Sequence, residues 1–172
     1  ADTLAAAHAA GIRYFDTAPL YGYGLSESRY GTGLSGFTRD EFAISTKVGY
    51  MLVPKDPDAP PDEFFVDTPL LTTEFDYSKD AVRRSIDDSL KRLKTDRIDI
   101  VYIHDPDEAA TLLKPGSGPY DFSHFREVME GAYPALDELR SQKVINAVGA
   151  GMNQWQMLAD FAVEGDFDCF LL

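Results

Sequence analysis

The chain has 172 residues, 44% of them hydrophobic, which is enough for one domain of ordinary size with a real core. A formal net charge of −13 argues against nucleic acid, which selects an excess of Lys and Arg, but leaves room for a phosphate held by a local basic pocket. No apolar run approaches the roughly 18 residues of a membrane span, the first residues carry no signal-like block, and one cysteine, Cys169, rules out an intrachain disulfide and suits a reducing cytoplasm.

Asp2 or Thr3 caps a short Ala-rich helix with Leu4, Ala7 and His8 on one side, and Gly11 ends it. His8 reads as a helix-surface residue. An apolar strand, Ile12 to Phe15, stops at Asp16. Tyr21 follows five residues later, in a loop too rich in Pro and Gly to be strand or helix, and a helix is expected from about Ser26 to Tyr30. Gly31-Thr-Gly33-Leu-Ser-Gly36 matches G-x-G-x-x-G, but it ends a helix and precedes a strand, the reverse of a dinucleotide fingerprint. Helix termination and a turn account for these glycines.

Phe42 to Val48 is the next strand and carries Lys47 near its end. Gly49 to Asp76 holds Pro54, Pro57, Pro60, Pro61 and Pro69 and reads as one long irregular stretch. Its aromatics, Phe64, Phe65 and Phe75 with Tyr77 just beyond, favour a packed loop over disorder. Ser78 to Leu93 is the clearest helix, with Val82, Ile86, Leu90 and Leu93 at helical spacing and Arg83, Arg84, Asp87, Asp88 and Lys91 as a solvated face. The third strand is Asp99 to His104. A loop from Asp105 to Phe122 follows, then a helix from Ser123 to Gln142 that Pro134 should kink or restart. Val144 to Val148 is a fourth strand, Gly149-Ala-Gly151 a tight turn, Asn153 to Val163 a helix, and Asp168 to Leu172 a fifth strand.

Strands alternating with helices imply a parallel sheet with right-handed crossovers. The strands are apolar runs without alternation, as expected when both faces are buried. A doubly wound sheet and a (β/α)8 barrel both fit this pattern.

Asp16, Lys47 and His104 each stand where an apolar strand ends, on the side where the chain leaves it. In a parallel sheet those ends lie at one face, and in barrels that face holds the active site. A phenol alone is a poor acid–base group at neutrality, because it titrates near pH 10. A nearby ammonium stabilises phenolate, and a carboxylate beside the ammonium keeps it charged and oriented. An imidazole can hydrogen-bond a substrate oxygen or relay a proton. Such a unit suits carbonyl–alcohol interconversion, with a proton moving on oxygen and hydride on carbon. No side chain carries hydride, so a cofactor is required.

Phe-Asp16-Thr-Ala-Pro-Leu-Tyr21-Gly with Ser26-Glu27 and Gly31, then Ser-Thr-Lys47, then Ile-His104, resembles the aldo-keto reductase superfamily. The resemblance implies Asp16, Tyr21, Lys47 and His104 as the catalytic tetrad, with Tyr21 as the acid–base. It also implies a (β/α)8 barrel and NAD or NADP as cofactor, with Asp16 and Asn153 at the nicotinamide end. Gly149-Ala-Gly-Met-Asn153 departs from the family's usual Gly-Val-Ser-Asn, so Met152 stands in place of a serine. Gly-Ala-Gly-Met-Asn-Gln-Trp, His104-Asp-Pro-Asp107 and the Pro-rich stretch after Lys47 resemble one branch. That branch is the sugar 1-dehydrogenases, D-threo-aldose and L-fucose dehydrogenases, with pyridoxal 4-dehydrogenase and L-galactose dehydrogenase nearby.

The resemblance covers residues 1–172 as part of a single domain with about five of eight barrel strands. Its first strand would precede Ala1 and its last two would follow Leu172, along with the loop that clamps the cofactor's pyrophosphate and decides between NAD and NADP. The expected partner is a small-molecule sugar or aldehyde, not nucleic acid or membrane; oligomeric state stays open. Two other readings keep the barrel: a lyase using Lys47 as a Schiff-base nucleophile, and a non-catalytic reductase-like binding subunit.

Overall fold

The computed structural model describes residues 2–60, 64–107 and 124–172. In chain order the elements are α1 (Asp2–Ala9), β1 (Tyr14–Asp16), α2 (Leu25–Leu34), β2 (Ala43–Val48), β3 (Tyr50–Pro54), β4 (Leu71–Phe75) and α3 (Lys79–Leu93). They continue with β5 (Ile98–His104), α4 (Phe125–Glu127), a π-helical turn (Val128–Ala132), α5 (Tyr133–Ser141), β6 (Ile145–Gly151), α6 (Trp155–Glu164) and β7 (Cys169–Leu171). Most of the loop expected over residues 105–122 lies outside the described residues.

Five strands form one parallel sheet in the order β1-β2-β5-β6-β7. Each strand pairs with the one before it, so the strand order never reverses. A doubly wound sheet needs such a reversal, with helices on both faces. This sheet is instead the wall of a (β/α)8 barrel. One face, with Phe15, Ile44, Val101, Ile103, Val148 and Ala150, packs against Val82, Ile86, Leu136 and Phe161 of the helices in a single buried cluster. The other face carries Tyr14, Asp16, Ser45, Lys47, Tyr102 and His104. The strands therefore have a polar face, which their apolar composition hid.

α3 matches its predicted extent because every local signal agrees. Ser78 caps it by accepting from the Ala81 amide, and Val82, Ile86 and Leu93 are buried. β1 starts later than expected, because Ile12 N–H donates to the Ala7 carbonyl and still belongs to the end of α1. The stretch from Gly49 to Asp76 is not irregular throughout: β3 and β4 form an antiparallel hairpin with Tyr50 opposite Phe75 and Pro54 opposite Leu71. The prolines misled here. Pro54 is the last paired residue, where a missing N–H costs no interior ladder bond.

Three further expectations are corrected. α2 runs on through Gly31 to Leu34. A Cβ on Gly31 would stand 2.5 Å from the Arg92 carbonyl oxygen, so this glycine lets α2 lie against the end of α3 and ends nothing. Gly149-Ala-Gly151 is strand, not turn; a Cβ on Gly149 would meet the Tyr102 ring at 2.5 Å. His8 is mostly covered, stacked on Phe37 with ring centroids 3.9 Å apart. Pro134 does mark a second helix start, directly after the π turn, which absorbs the backbone bond its missing N–H cannot make. No helix among the described residues is long and apolar enough to cross a membrane.

Candidate active site

β1, β2 and β5 end side by side, and their C-terminal ends place Asp16, Lys47 and His104 on one rim. The Lys47 side chain is 2% exposed, and its Nζ donates to Asp16 Oδ2 at 2.6 Å and to the Thr17 carbonyl at 2.9 Å. A buried ammonium needs a paired carboxylate, and Asp16 supplies it.

Tyr21 reaches the same rim from the loop after β1. That loop is a chain of turns: Tyr21 N–H donates to the Ala18 carbonyl, Gly24 N–H to Pro19, and Ser26 N–H to the Tyr21 carbonyl. Thr17 and Ser26 share a hydroxyl–hydroxyl bond of 2.8 Å that ties the loop's two ends together. The half-buried Tyr21 lies with its ring centroid 4.7 Å from Lys47 Nζ, a cation–π distance, and edge-on to the His104 ring at 5.8 Å.

His104 is held by its surroundings. Its carbonyl accepts from Tyr77 Oη at 2.6 Å, and Tyr50 packs edge-on to its ring at 5.0 Å. Asp105 follows with φ 42°, a left-handed turn that brings its carboxylate within 3.5 Å of His104 Nε2. His104 Nδ1 is buried with no hydrogen-bond partner among the described residues. Burial, and then the Lys47 charge, lower the imidazole's pKa from 6.5 to about 3. At neutral pH this ring is uncharged and acts through a hydrogen bond.

Tyr21, Lys47, His104, Asp105, Met152 and Asn153 line one cavity of about 220 Å³. That is below the roughly 300–1,000 Å³ of a typical small-molecule site, so it has room for one ring and a small reacting group. The donor set fits a nicotinamide there: an exposed amide at Asn153, the buried Lys47 ammonium paired with the partly exposed Asp16, and the neutral His104 imidazole. A larger cleft of about 550 Å³ also borders Tyr21, lined by Arg29, Tyr30, Phe64 and Phe65. Another cavity of about 550 Å³, between α2 and α3, touches none of the four rim residues.

The structure thus brings together all four ionisable residues singled out from the sequence, and sets Asn153 beside them. It also reveals supports whose roles the sequence did not show. Glu27 is fully buried, accepts from Thr46 Oγ1 at 2.6 Å and from Arg92 Nε at 2.6 Å, and so pins α2 to β2 and α3. An acidic residue in a helix's first turn ordinarily serves the dipole at the surface; only tertiary packing sets this one against Arg92. Tyr50 carried no signal because its strand was not recognised.

The sequence profile described as the aldo/keto reductase family matches residues 1–166. The chain belongs to the aldo/keto reductase family. It is 37% identical to the D-threo-aldose 1-dehydrogenase of a Pseudomonas species, an alignment covering 98% of this chain and 48% of that relative. It is also 37% identical to the pyridoxal 4-dehydrogenase of Microbacterium luteolum, covering 94% of this chain and 48% of the relative. Among solved structures, the holo form of an aldo-keto reductase from Bacillus halodurans superposes with a TM-score of 0.68 over 97% of this chain and 45% of its own. That identity is 24%, so the likeness speaks for the fold. The chain spans about half the length of the curated relatives it matches.

Proposed function

We propose that the protein is an NAD(P)-dependent oxidoreductase that interconverts a lactol or carbonyl with a lactone or alcohol, with Tyr21 as the general acid–base. Asp16, Lys47 and His104 complete the tetrad. The observation that carries this reading is the Lys47 ammonium, buried, held by Asp16 and set over the face of Tyr21, with neutral His104 beside them.

In the oxidation direction Tyr21 accepts the proton of the substrate hydroxyl. Lys47 stabilises the phenolate that makes this acceptance possible, and Asp16 keeps Lys47 in place. His104, uncharged, hydrogen-bonds the same substrate oxygen and orients the reacting carbon. Asn153 and Asp16 would hold the nicotinamide end of the cofactor. A bound nicotinamide would supply the hydride acceptor, which no side chain can do. In reduction each proton step reverses, and Tyr21 gives its proton to the nascent alkoxide.

The preferred substrate is an aldose oxidised at its anomeric carbon, as the name of the D-threo-aldose relative suggests. Pyridoxal-type oxidation is the second reading, supported by equal identity to the Microbacterium enzyme. Phe64 and Phe65, beside Tyr21, suit either a sugar ring or a pyridine ring. We place residues 1–172 within a single barrel domain and the protein in the cytoplasm, where a reducing thiol pool suits a chain with one cysteine. Assays of the full-length protein with NAD and with NADP, against a panel of aldoses and pyridoxal, test the reading. Turnover with a nicotinamide cofactor is expected. Its absence with every substrate would favour a non-catalytic binding subunit.

A further inference from the structure

One layer below the rim, the same face of the sheet carries Tyr14, Ser45 and Tyr102. Each stands two residues before its strand's ionisable residue, so strand alternation sets it directly beneath Asp16, Lys47 or His104. Ser45 is fully buried, Tyr102 nearly so, and Tyr14, on the edge strand β1, is 43% exposed. Barrel interiors at this level are ordinarily filled by bulky branched apolar side chains. Three neighbouring hydroxyls are therefore more than packing requires.

They form a chain of contacts. Ser45 Oγ donates to Asp16 Oδ1 at 2.6 Å. Tyr14 Oη lies 2.9 Å from Ser45 Oγ and 3.2 Å from Tyr102 Oη. The Cys169 thiol on β7 donates to Tyr102 Oη at 3.6 Å. The direction of every bond follows from the first. A carboxylate only accepts, and each hydroxyl has one proton to give. Ser45 spends its proton on Asp16, so Tyr14 must donate to Ser45. Tyr14 is then spent, so Tyr102 must donate to Tyr14, and Tyr102 in turn accepts from Cys169. All donors point toward one anion, an arrangement in which each bond polarises the next.

We propose that Ser45, Tyr14 and Tyr102 are positioning residues, an oriented hydroxyl relay that fixes the Asp16 carboxylate on Lys47. Asp16 divides its two oxygens: Oδ1 takes the relay and Oδ2 takes the Lys47 ammonium. Held at one oxygen, the carboxylate cannot swing away from the other contact. The ammonium then stays over Tyr21. The kinetic part of this inference rests on the function proposed above; the structural part does not.

The test uses the full-length protein and reads the Asp16 side-chain carboxyl carbon by NMR at neutral pH in wild type, Tyr14→Phe, Ser45→Ala and the double variant. Tyr14 does not bond Asp16, yet Tyr14→Phe should move the Asp16 signal, and Ser45→Ala should move it further. The double variant should match Ser45→Ala alone, because Tyr14 acts only through Ser45. In turnover, Ser45→Ala should lower kcat roughly tenfold, the scale of one hydrogen bond to a charged group, and Tyr14→Phe less, with KM changed little. Ser45→Thr should restore both signal and rate. An Asp16 signal indifferent to Tyr14→Phe, or shifts that simply add in the double variant, would overturn the relay. If Ser45→Ala does not fold, Tyr14→Phe and Tyr102→Phe, each losing a single oxygen, decide it: Tyr102→Phe should move the signal less than Tyr14→Phe, and the reverse order or no shift would overturn it. A wild type without nicotinamide turnover would contradict the functional reading alone, and the carboxyl signals would still decide the relay.

Discussion

Lowering the pH should destabilise this protein through His104 specifically. Burial and the Lys47 charge depress its folded-state pKa to about 3, against 6.5 in an unfolded chain. Between those values the unfolded chain binds a proton that the folded one refuses. Stability is therefore fully present above about pH 6.5 and falls as pH drops toward 3. At pH 5 the unfolded state has gained about 1.5 pK units of protonation free energy, or roughly 2 kcal/mol. The side chain is only 7% exposed, so solvent screening takes little from this figure. Urea unfolding of wild type and His104→Asn at pH 7 and pH 5 measures it, since other titrating groups are common to both proteins and cancel. Wild type should lose about 2 kcal/mol more than the variant between the two pH values. Equal losses would refute the claim that His104 is held neutral.

Three other perturbations follow from the same contacts. Arg92→Met leaves the fully buried Glu27 without its charged partner and should cost about 3 kcal/mol by urea unfolding; a change under ~1 kcal/mol would show that Glu27 is satisfied otherwise. Gly149→Ala forces a methyl against the Tyr102 ring and should cost about 1–3 kcal/mol, read as a lowered Tm. Shortening the connection between β3 and β4, which carries Phe64 and Phe65, should change the ratio of kcat/KM between an aldose and pyridoxal; an unchanged ratio would place substrate recognition elsewhere.

Much of the fold was legible because its signals were local. α3 has a cap, an apolar stripe and a left-handed stop at Lys94, all within its own residues. The parallel sheet followed from alternation of strand and helix. What escaped depended on contacts between elements distant in sequence. Gly31 and Gly149 look like turn glycines until the Arg92 carbonyl and the Tyr102 ring are seen against them. The β3–β4 hairpin was hidden because five prolines weigh on any local reading, although its two paired segments are rich in β-branched and aromatic residues. At the candidate site, Asp16, Lys47 and His104 announce themselves as charges closing apolar strands. Ser45, Thr46 and Glu27 enter only as part of the family motif, without a role, since a hydroxyl in a strand or a glutamate on a helix has no distinguishing local pattern. Counting back two residues from each strand-end charge would have found Tyr14, Ser45 and Tyr102.

The central claim is that Tyr21 is the proton-transferring group of the Asp16–Lys47–His104 cluster. Steady-state kinetics and cofactor titration of Tyr21→Phe in the full-length protein test it most directly. The account predicts that kcat falls by about 10²–10⁴-fold, the range for a lost general acid–base, while cofactor affinity stays within a few-fold of wild type. A Tyr21→Phe enzyme turning over at close to the wild-type rate would contradict it.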